Sequence, residues 1–181
     1  MREGPILVLV TGPPGTGKST LAEAAADRLG GAAVLAWDWV MAGLTPFDDL
    51  QAVLHAMGPV RHRRVGWSML GNLAVAQLRA GRSAVLDGCA RAPEVDEARR
   101  SAAAEGVPCR VVVTRCRDLD LHRARIEGRA RGIPGWYELD WPHVTGFLSR
   151  WEEPPDRDLL LDATDPLPHN LTRLTELLVA R

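Results

Sequence analysis

A chain of 181 residues with 46% hydrophobic and 25% charged residues has the size and composition of one soluble globular domain. Its formal net charge of −1 provides no broad electrostatic attraction for nucleic acid or for an anionic membrane. Because there is no secretory pattern and no apolar run of the roughly 20 residues that span a bilayer, we expect a cytoplasmic protein without a membrane partner.

The first predicted element is a buried strand over residues 6–10, an apolar run typical of parallel sheets. The next eight-residue motif, residues 12–19, matches the phosphate-binding pattern G-x-x-x-x-G-K-[ST] at every position, and a helix-forming segment follows it. Its backbone N–H groups bind negative charge, Lys18 is expected to reach the β- and γ-phosphates, and Ser19 is expected to bind Mg²⁺. The sequence therefore predicts that ATP and Mg²⁺ are the cofactors, bound by Gly12, Pro13, Pro14, Gly15, Thr16, Gly17, Lys18, Ser19 and Thr20.

Strands and helices alternate along the rest of the chain. Further strands are predicted over residues 32–37, 83–87, 109–114 and 158–162, and further helices over residues 65–80, 94–105, 119–131 and 169–180. This order predicts an α/β, three-layer P-loop NTPase fold with a five-stranded parallel sheet, like nucleoside-monophosphate kinases, with a helical lid. We expect one domain over residues 1–181, with a substrate-binding insertion at 38–64 and a lid at about 120–157.

Acidic residues follow three of the predicted strands: Asp38, Asp87 and Asp162. Ligands of open α/β sheets bind at the carboxyl ends of strands, so these acids are candidate site residues. The segment at 114–118 lacks the guanine-reading pattern of GTPases, and the segment at 83–88 lacks the acidic pair of motor ATPases. The pattern therefore favours a kinase.

The chain resembles the small P-loop kinases grouped with polynucleotide kinase, gluconate kinase, chloramphenicol phosphotransferase and the zeta-toxin kinases. The resemblance depends on the phosphate loop, Trp37-Asp38-Trp39, Val85-Leu86-Asp87-Gly88, Arg91, Arg99-Arg100, the Gly106-Val107-Pro108 turn and Arg125-x-x-x-Arg129. It implies that Asp38 holds or deprotonates a substrate hydroxyl, and that Lys18, Asp38 and Arg129 form the catalytic set. It leaves residues 39–64 and 132–157 without a match that would assign the substrate.

Several of these residues also have a simpler explanation. Asp38 has the alternative role of helix N-cap, and Asp87 either holds Mg²⁺, contacts the substrate together with Arg91, or is structural. Arg125 is expected to stack on adenine and Arg129 to bridge the β- and γ-phosphates from the same helix face; the alternative is a solvated face, which we favour for Arg123 and Arg131. The segment at 162–166 is expected to flank the adenine.

Substrate signals are weaker. Six tryptophans, most of them in the two insertions, favour an amphiphilic metabolite, nucleoside or antibiotic, with core packing as the alternative. The basic run 61–64 is expected to be a solvated loop, with recognition of an acidic or phosphorylated substrate as the alternative. The acids at 138–140 are expected to pair with lid arginines, with a substrate amine as the alternative partner. The three cysteines are expected to be bystanders.

The sequence thus predicts a Mg²⁺-dependent kinase that transfers the ATP γ-phosphate to a hydroxyl of a small molecule. Because the chain is nearly neutral, a nucleic-acid partner is not expected. The alternatives are a P-loop NTPase switch acting with a protein partner, a polynucleotide 5′-hydroxyl kinase, and a degenerate nucleotide-binding module. The oligomeric state is left open.

Overall fold

The fold is a parallel sheet covered by helices on both faces, seen in a computed structural model that describes residues 4–180. The strands are β1 (Leu7–Thr11), β2 (Ala33–Ala36), β3 (Ala84–Gly88), β4 (Cys109–Arg115) and β5 (Leu159–Asp162). The helices are α1 (Lys18–Arg28), α2 (Trp37–Ala42), α3 (Asp48–Ala56), α4 (Pro59–Arg79), α5 (Ala92–Ala104), α6 (Leu119–Glu127), α7 (Trp141–Leu148) and α8 (Leu167–Val179).

The five strands pair in the order β2-β3-β1-β4-β5, and every pairing is parallel. The central strand β1 is buried along its whole length, because its alternate side chains enter two different apolar clusters. Leu7 and Leu9 pack with residues of α4 and α5, whereas Val8 and Val10 pack with residues of α1 and α8. The predicted three-layer α/β fold with five parallel strands is therefore confirmed, and burial of both sheet faces explains the continuous apolar run of β1.

The sheet brings three chain segments to one edge. In the register of the sheet, Thr11 of β1 lies opposite Gly88 of β3 and Val113 of β4. The phosphate loop, the segment after β3 and the segment leading to α6 therefore all start from the carboxyl edge of neighbouring strands. This is where the rule for open α/β sheets locates a ligand.

Three differences from the predicted boundaries affect residues of the candidate site. The second strand ends at Ala36, so Trp37 and Asp38 belong to the first turn of α2. Helix α4 starts at Pro59, so the basic run 61–64 is helical and is not a loop. Proline is well suited to a first helical turn, because its missing N–H would have no partner there.

The third error is at the end of α6. That helix ends at Glu127, four residues before the predicted end, and Gly128 follows it. Glycine and proline are poor helix formers, and Gly132 and Pro134 prevent the helix from resuming. Arg125 is thus helical, whereas Arg129 lies in the irregular segment beyond.

The first insertion is mostly helical, whereas the lid is helical only in α6 and α7. Residues 38–64 include most of α2, all of α3 and the start of α4, and the lid contains α7, which Asp140 caps by accepting a hydrogen bond from the His143 N–H at 2.9 Å. Among residues 4–180, no helix combines the length and the hydrophobicity needed to cross a bilayer.

Candidate functional site

The phosphate loop has a backbone that only its glycines allow. Gly15 and Gly17 adopt φ angles of 82° and 84°, in the left-handed region that disfavours other residues. A side chain at Gly12 would collide with the backbone and hydroxyl of Thr114, which pass directly beside it. The pattern glycines are therefore required by the local geometry, and the loop keeps its N–H groups free to point at a ligand.

Three buried threonine hydroxyls join this loop to β4 and join the ends of the neighbouring strands. The Thr16 hydroxyl donates to the Pro13 carbonyl at 2.7 Å and lies 2.6 Å from the hydroxyl of Thr114 on β4. Thr114 in turn contacts the Thr11 carbonyl at 3.2 Å, and the Thr11 hydroxyl donates to the Ala90 carbonyl at 2.9 Å. All three threonines are buried, so the bonds are shielded from water and hold the loop rigidly.

Ser19 and Asp87 meet at the start of α1. The Ser19 hydroxyl donates to an Asp87 carboxylate oxygen at 2.8 Å, and Asp87 is buried. Burial raises the pKa of Asp87, although the positive charge of Lys18 opposes this shift. A hydroxyl oxygen beside a carboxylate is the hard oxygen donor set that Mg²⁺ prefers, so this pair can hold that ion.

Lys18 folds back over the loop, with its Nζ donating to the Pro13 carbonyl at 2.8 Å. It also lines a cavity of about 410 Å³ between the phosphate loop and the lid. Arg125, Arg129 and Arg131 line the same cavity. The prediction that Arg125 and Arg129 share a helix is wrong, because α6 ends at Glu127. Both side chains nevertheless line the cavity that the phosphate loop also lines.

Arg129 has an unusual environment. Its Nε and Nη2 atoms are buried and have no hydrogen-bond partner among residues 4–180. Burial and then the neighbouring positive charge of Arg131 lower the pKa of Arg129. Two buried guanidinium nitrogens without a partner are unfavourable unless an anion binds beside them, so the side chain indicates an anion site.

Asp38 is held by the lid. Its carboxylate forms an ion pair with Arg131, which also donates to Glu138 from its backbone N–H at 2.7 Å. Asp38 does not cap α2, because the N-cap residue is Ala36 and no side-chain capping bond forms there. The expectation of a solvated Arg131 is also wrong, whereas Arg123 is exposed and pairs with Glu127 as expected.

The other candidate positions divide between the cavity and the scaffold. Asp165 and Asn170 line the same cavity as the arginines. That the segment at 162–166 flanks the adenine stays a prediction. Asp162 is buried, and its Oδ2 atom forms ion pairs with the Nε atoms of Arg115 at 2.9 Å and Arg117 at 2.7 Å. Burial opposes the shift, but hydrogen bonds from Thr164 and these arginines hold the pKa of Asp162 well below its usual range. Asp162 is thus a structural acid.

Arg91 does not reach the cavity lined by the phosphate loop. It is the N-cap residue of α5, and its backbone N–H donates to Glu94 at 2.9 Å. Glu94 is a buried acid that also pairs with Arg63 at 3.0 Å. The sequence analysis did not identify Glu94, although an acid three residues after a helix start is a capping signal.

The tryptophans do not form one pocket wall. Trp37 lies edge-on to Trp136 at 5.9 Å near Asp38, whereas Trp141 packs on His122 at 5.4 Å and Trp151 stacks on Phe147. Trp39 is 56% exposed. The expected aromatic character is therefore limited to Trp37, which contacts Trp136, and to Trp67, which lies beside Trp37 at Gly88.

Comparison with known proteins identifies the family and the fold. The AAA domain family matches residues 7–134, which include the phosphate loop, Asp38, Asp87 and both cavity arginines of the predicted motif. No curated protein sequence matches the chain.

Several solved structures share the fold over nearly the whole chain. They include a sugar kinase from Janibacter sp. HTCC2649, with 18% identity, a TM-score of 0.68, and coverage of 97% of this chain and 95% of that chain. A gluconokinase from Sinorhizobium meliloti 1021 has 20% identity, a TM-score of 0.65, and coverage of 98% and 97%. The APS kinase of Mycobacterium tuberculosis, in complex with AMPPNP and APS, has 20% identity, a TM-score of 0.64, and coverage of 98% and 99%. The chain has the fold of the small P-loop kinases and belongs to the AAA domain family.

Proposed function

We propose that this protein is a kinase that transfers the γ-phosphate of ATP to a hydroxyl of a small molecule. The observation that carries the proposal is the cavity in which Lys18, Arg125 and Arg129 converge, with two buried N–H-bearing atoms of Arg129 lacking a partner. Phosphoryl transfer spreads negative charge over the transferred group, and a fixed set of cations around it is the arrangement that stabilises such charge.

Different residues around the cavity bind the phosphates, the base and the metal ion of the nucleotide. The N–H groups of the phosphate loop and Lys18 bind the β- and γ-phosphates, and Arg129 closes over them from the lid. Arg125 and the segment at 163–170 surround the adenine base. Ser19 and Asp87 hold Mg²⁺, which supplies charge neutralisation between the phosphates when it is bound.

The acceptor binds on the Asp38 side of the lid. Asp38 orients the attacking hydroxyl and accepts its proton, which requires the carboxylate to be released from Arg131. Trp37, the chain neighbour of Asp38, contacts Trp136, so we expect the acceptor to present an apolar or ring face as well as its hydroxyl. The three structural relatives are named as kinases, which supports a kinase activity for this chain. Their names give different acceptors and so leave the substrate open.

A transfer screen tests the proposal. The purified chain is incubated with γ-labelled ATP and Mg²⁺ against pools of sugars, nucleosides, amino alcohols, hydroxylated antibiotics and 5′-hydroxyl oligonucleotides, with Lys18→Ala as the blank. We expect label on one small-molecule pool. Label on the oligonucleotides alone would indicate a polynucleotide kinase, and release of phosphate at the same rate in every pool would indicate an NTPase switch.

A further inference from the structure

His122 is a buried histidine that the predicted mechanism does not use. It lies on α6, has 0% exposure, and its Nε2 atom is 2.6 Å from the carbonyl oxygen of Pro14 in the phosphate loop. Its Nδ1 atom is buried and has no hydrogen-bond partner among the described residues. A lid helix is thus attached to the phosphate loop through one side chain.

The chemistry of this contact defines the proton position. A carbonyl oxygen only accepts, so Nε2 must carry the hydrogen that the Pro14 carbonyl receives. Burial lowers the pKa of His122, and the positive charges of Lys18, Arg125 and Arg129 act in the same direction against the opposing hydrogen bond to Pro14. We therefore expect a ring that is neutral at pH 7, with its hydrogen on Nε2 and none on the unpartnered Nδ1.

The neighbours of the ring leave little room for other arrangements. Trp141 of α7 packs edge-on against it, with ring centroids 5.4 Å apart and a 73° interplanar angle. On the opposite side, a side chain at Gly15 would press on both His122 and Ile126. The imidazole consequently fills the space between the lid and the loop, and its one donor points at the loop.

We propose that His122 is a positioning residue, which holds the Pro14–Gly15 segment of the phosphate loop in the shape that receives the polyphosphate of the nucleotide. The inference depends on the proposed function, since it assumes that the loop binds ATP. The Thr16 hydroxyl network holds the end of the loop nearest the sheet, and His122 holds its outer turn. The N–H groups of that turn then keep their orientation before the nucleotide arrives, which reduces the ordering cost of binding.

The test compares variants that keep or remove the donor. His122→Gln places an N–H donor about as far from the backbone as Nε2 of histidine. His122→Leu supplies an apolar side chain of similar size without a donor. Leu78→Ala is the control, because Leu78 is buried in the core near the amino end of β3, away from the phosphate loop. Each full-length protein is titrated calorimetrically with AMP-PNP and Mg²⁺ below its unfolding temperature.

We expect His122→Leu to weaken AMP-PNP binding about tenfold, which is the effect of losing one hydrogen bond of roughly 1.4 kcal/mol. His122→Gln should bind within about threefold of the wild type, and Leu78→Ala should unfold at a lower temperature with unchanged affinity. Equal affinity of His122→Leu and the wild type, or equal weakening of the Leu and Gln variants, would overturn the proposal.

A second measurement does not depend on the folding of any variant. Nitrogen NMR of ¹⁵N-histidine-labelled wild-type protein should show the His122 ring as the neutral tautomer protonated on Nε2, and a proton on Nδ1 would contradict the inference. Failure of the wild type to bind AMP-PNP would overturn this inference and the kinase proposal together. Binding without phosphoryl transfer would count against the kinase alone, and the Leu and Gln comparison would still decide the role of His122.

Discussion

Arg131 of the lid forms an ion pair with Asp38 in the first turn of α2, across 93 positions of the chain. The contact joins the two insertions over the edge of the sheet, and it occupies the carboxylate that we assign to the acceptor hydroxyl. Glu138 holds Arg131 from the other side at 3.5 Å. In this conformation Asp38 is therefore engaged by the lid.

Asp38→Asn should lower kcat roughly 10²–10⁴-fold and change the affinity for ATP little, because the amide keeps the size of the carboxylate but accepts no proton. Glu138→Gln is the matched control, since it removes the other carboxylate that holds Arg131. We expect that control to change kcat less than about threefold. Steady-state kinetics with the acceptor found in the screen measures both, and an unchanged kcat in Asp38→Asn would remove the residue from the catalytic set.

Lys18→Ala should abolish phosphoryl transfer, with a loss of at least roughly 10²–10³-fold, while the protein stays folded. The lysine side chain makes one described hydrogen bond, to the loop carbonyl of Pro13, so its removal affects the ligand more than the fold. Arg28→Ala, in the exposed last turn of the same helix, is the control. Circular dichroism and the transfer assay are compared; near-normal turnover in Lys18→Ala would contradict the mechanism.

Arg129→Met should reduce transfer about 10²-fold and leave the melting temperature equal or higher. The reason is that two guanidinium nitrogens of Arg129 are buried without a hydrogen-bond partner among residues 4–180, a cost that methionine avoids. Arg123→Met serves as the control, because Arg123 is exposed and pairs with Glu127. A large fall in melting temperature for Arg129→Met would show instead that the guanidinium stabilises the lid.

Asp87→Asn should stabilise the protein without ligand at pH 7 and increase the Mg²⁺ concentration needed for activity. Because burial raises the pKa of Asp87, the unfolded chain releases this proton at a lower pH than the folded one. The ionised carboxylate thus destabilises the fold as the pH rises above the unfolded pKa of about 4, and the amide removes that effect. Urea unfolding at pH 4 and pH 7 measures the difference in free energy of unfolding between the variant and the wild type. A variant that is less stable than the wild type at pH 7 would contradict the prediction.

Asp162→Asn should destabilise the fold by about 1–3 kcal/mol at pH 7, since the carboxylate is buried and accepts from two arginines and Thr164. Its pKa is lowered on folding, so the stabilisation is complete above the unfolded pKa of about 4 and declines as the pH falls below that value. The difference between wild type and variant should therefore shrink in acid. Asp156→Asn, at an exposed pair with Arg99, should change stability by less than about 0.5 kcal/mol.

Local sequence patterns were sufficient to predict the fold and the phosphate-loop part of the candidate site. The apolar runs located all five strands within one or two residues, because a buried parallel strand must be apolar on both faces. The phosphate loop was equally evident, since its glycines, Lys18 and Ser19 act within one turn of the chain. Helix ends were less accurate: the continuation of α6 beyond Gly128 was predicted from composition, but glycine and proline stop it.

Contacts between distant segments were not available from those patterns. The burial of His122 depends on the packing of α7 against α6, and the ion pair of Arg131 depends on the path of the lid after Gly128. The sequence by itself determined the order of strands and helices and the nucleotide-type loop, because these depend on residues near one another in the chain. Only the tertiary structure decided which arginine meets Asp38 and which lies unpaired beside the loop, because burial and distance, not residue type, set the partners of a charge.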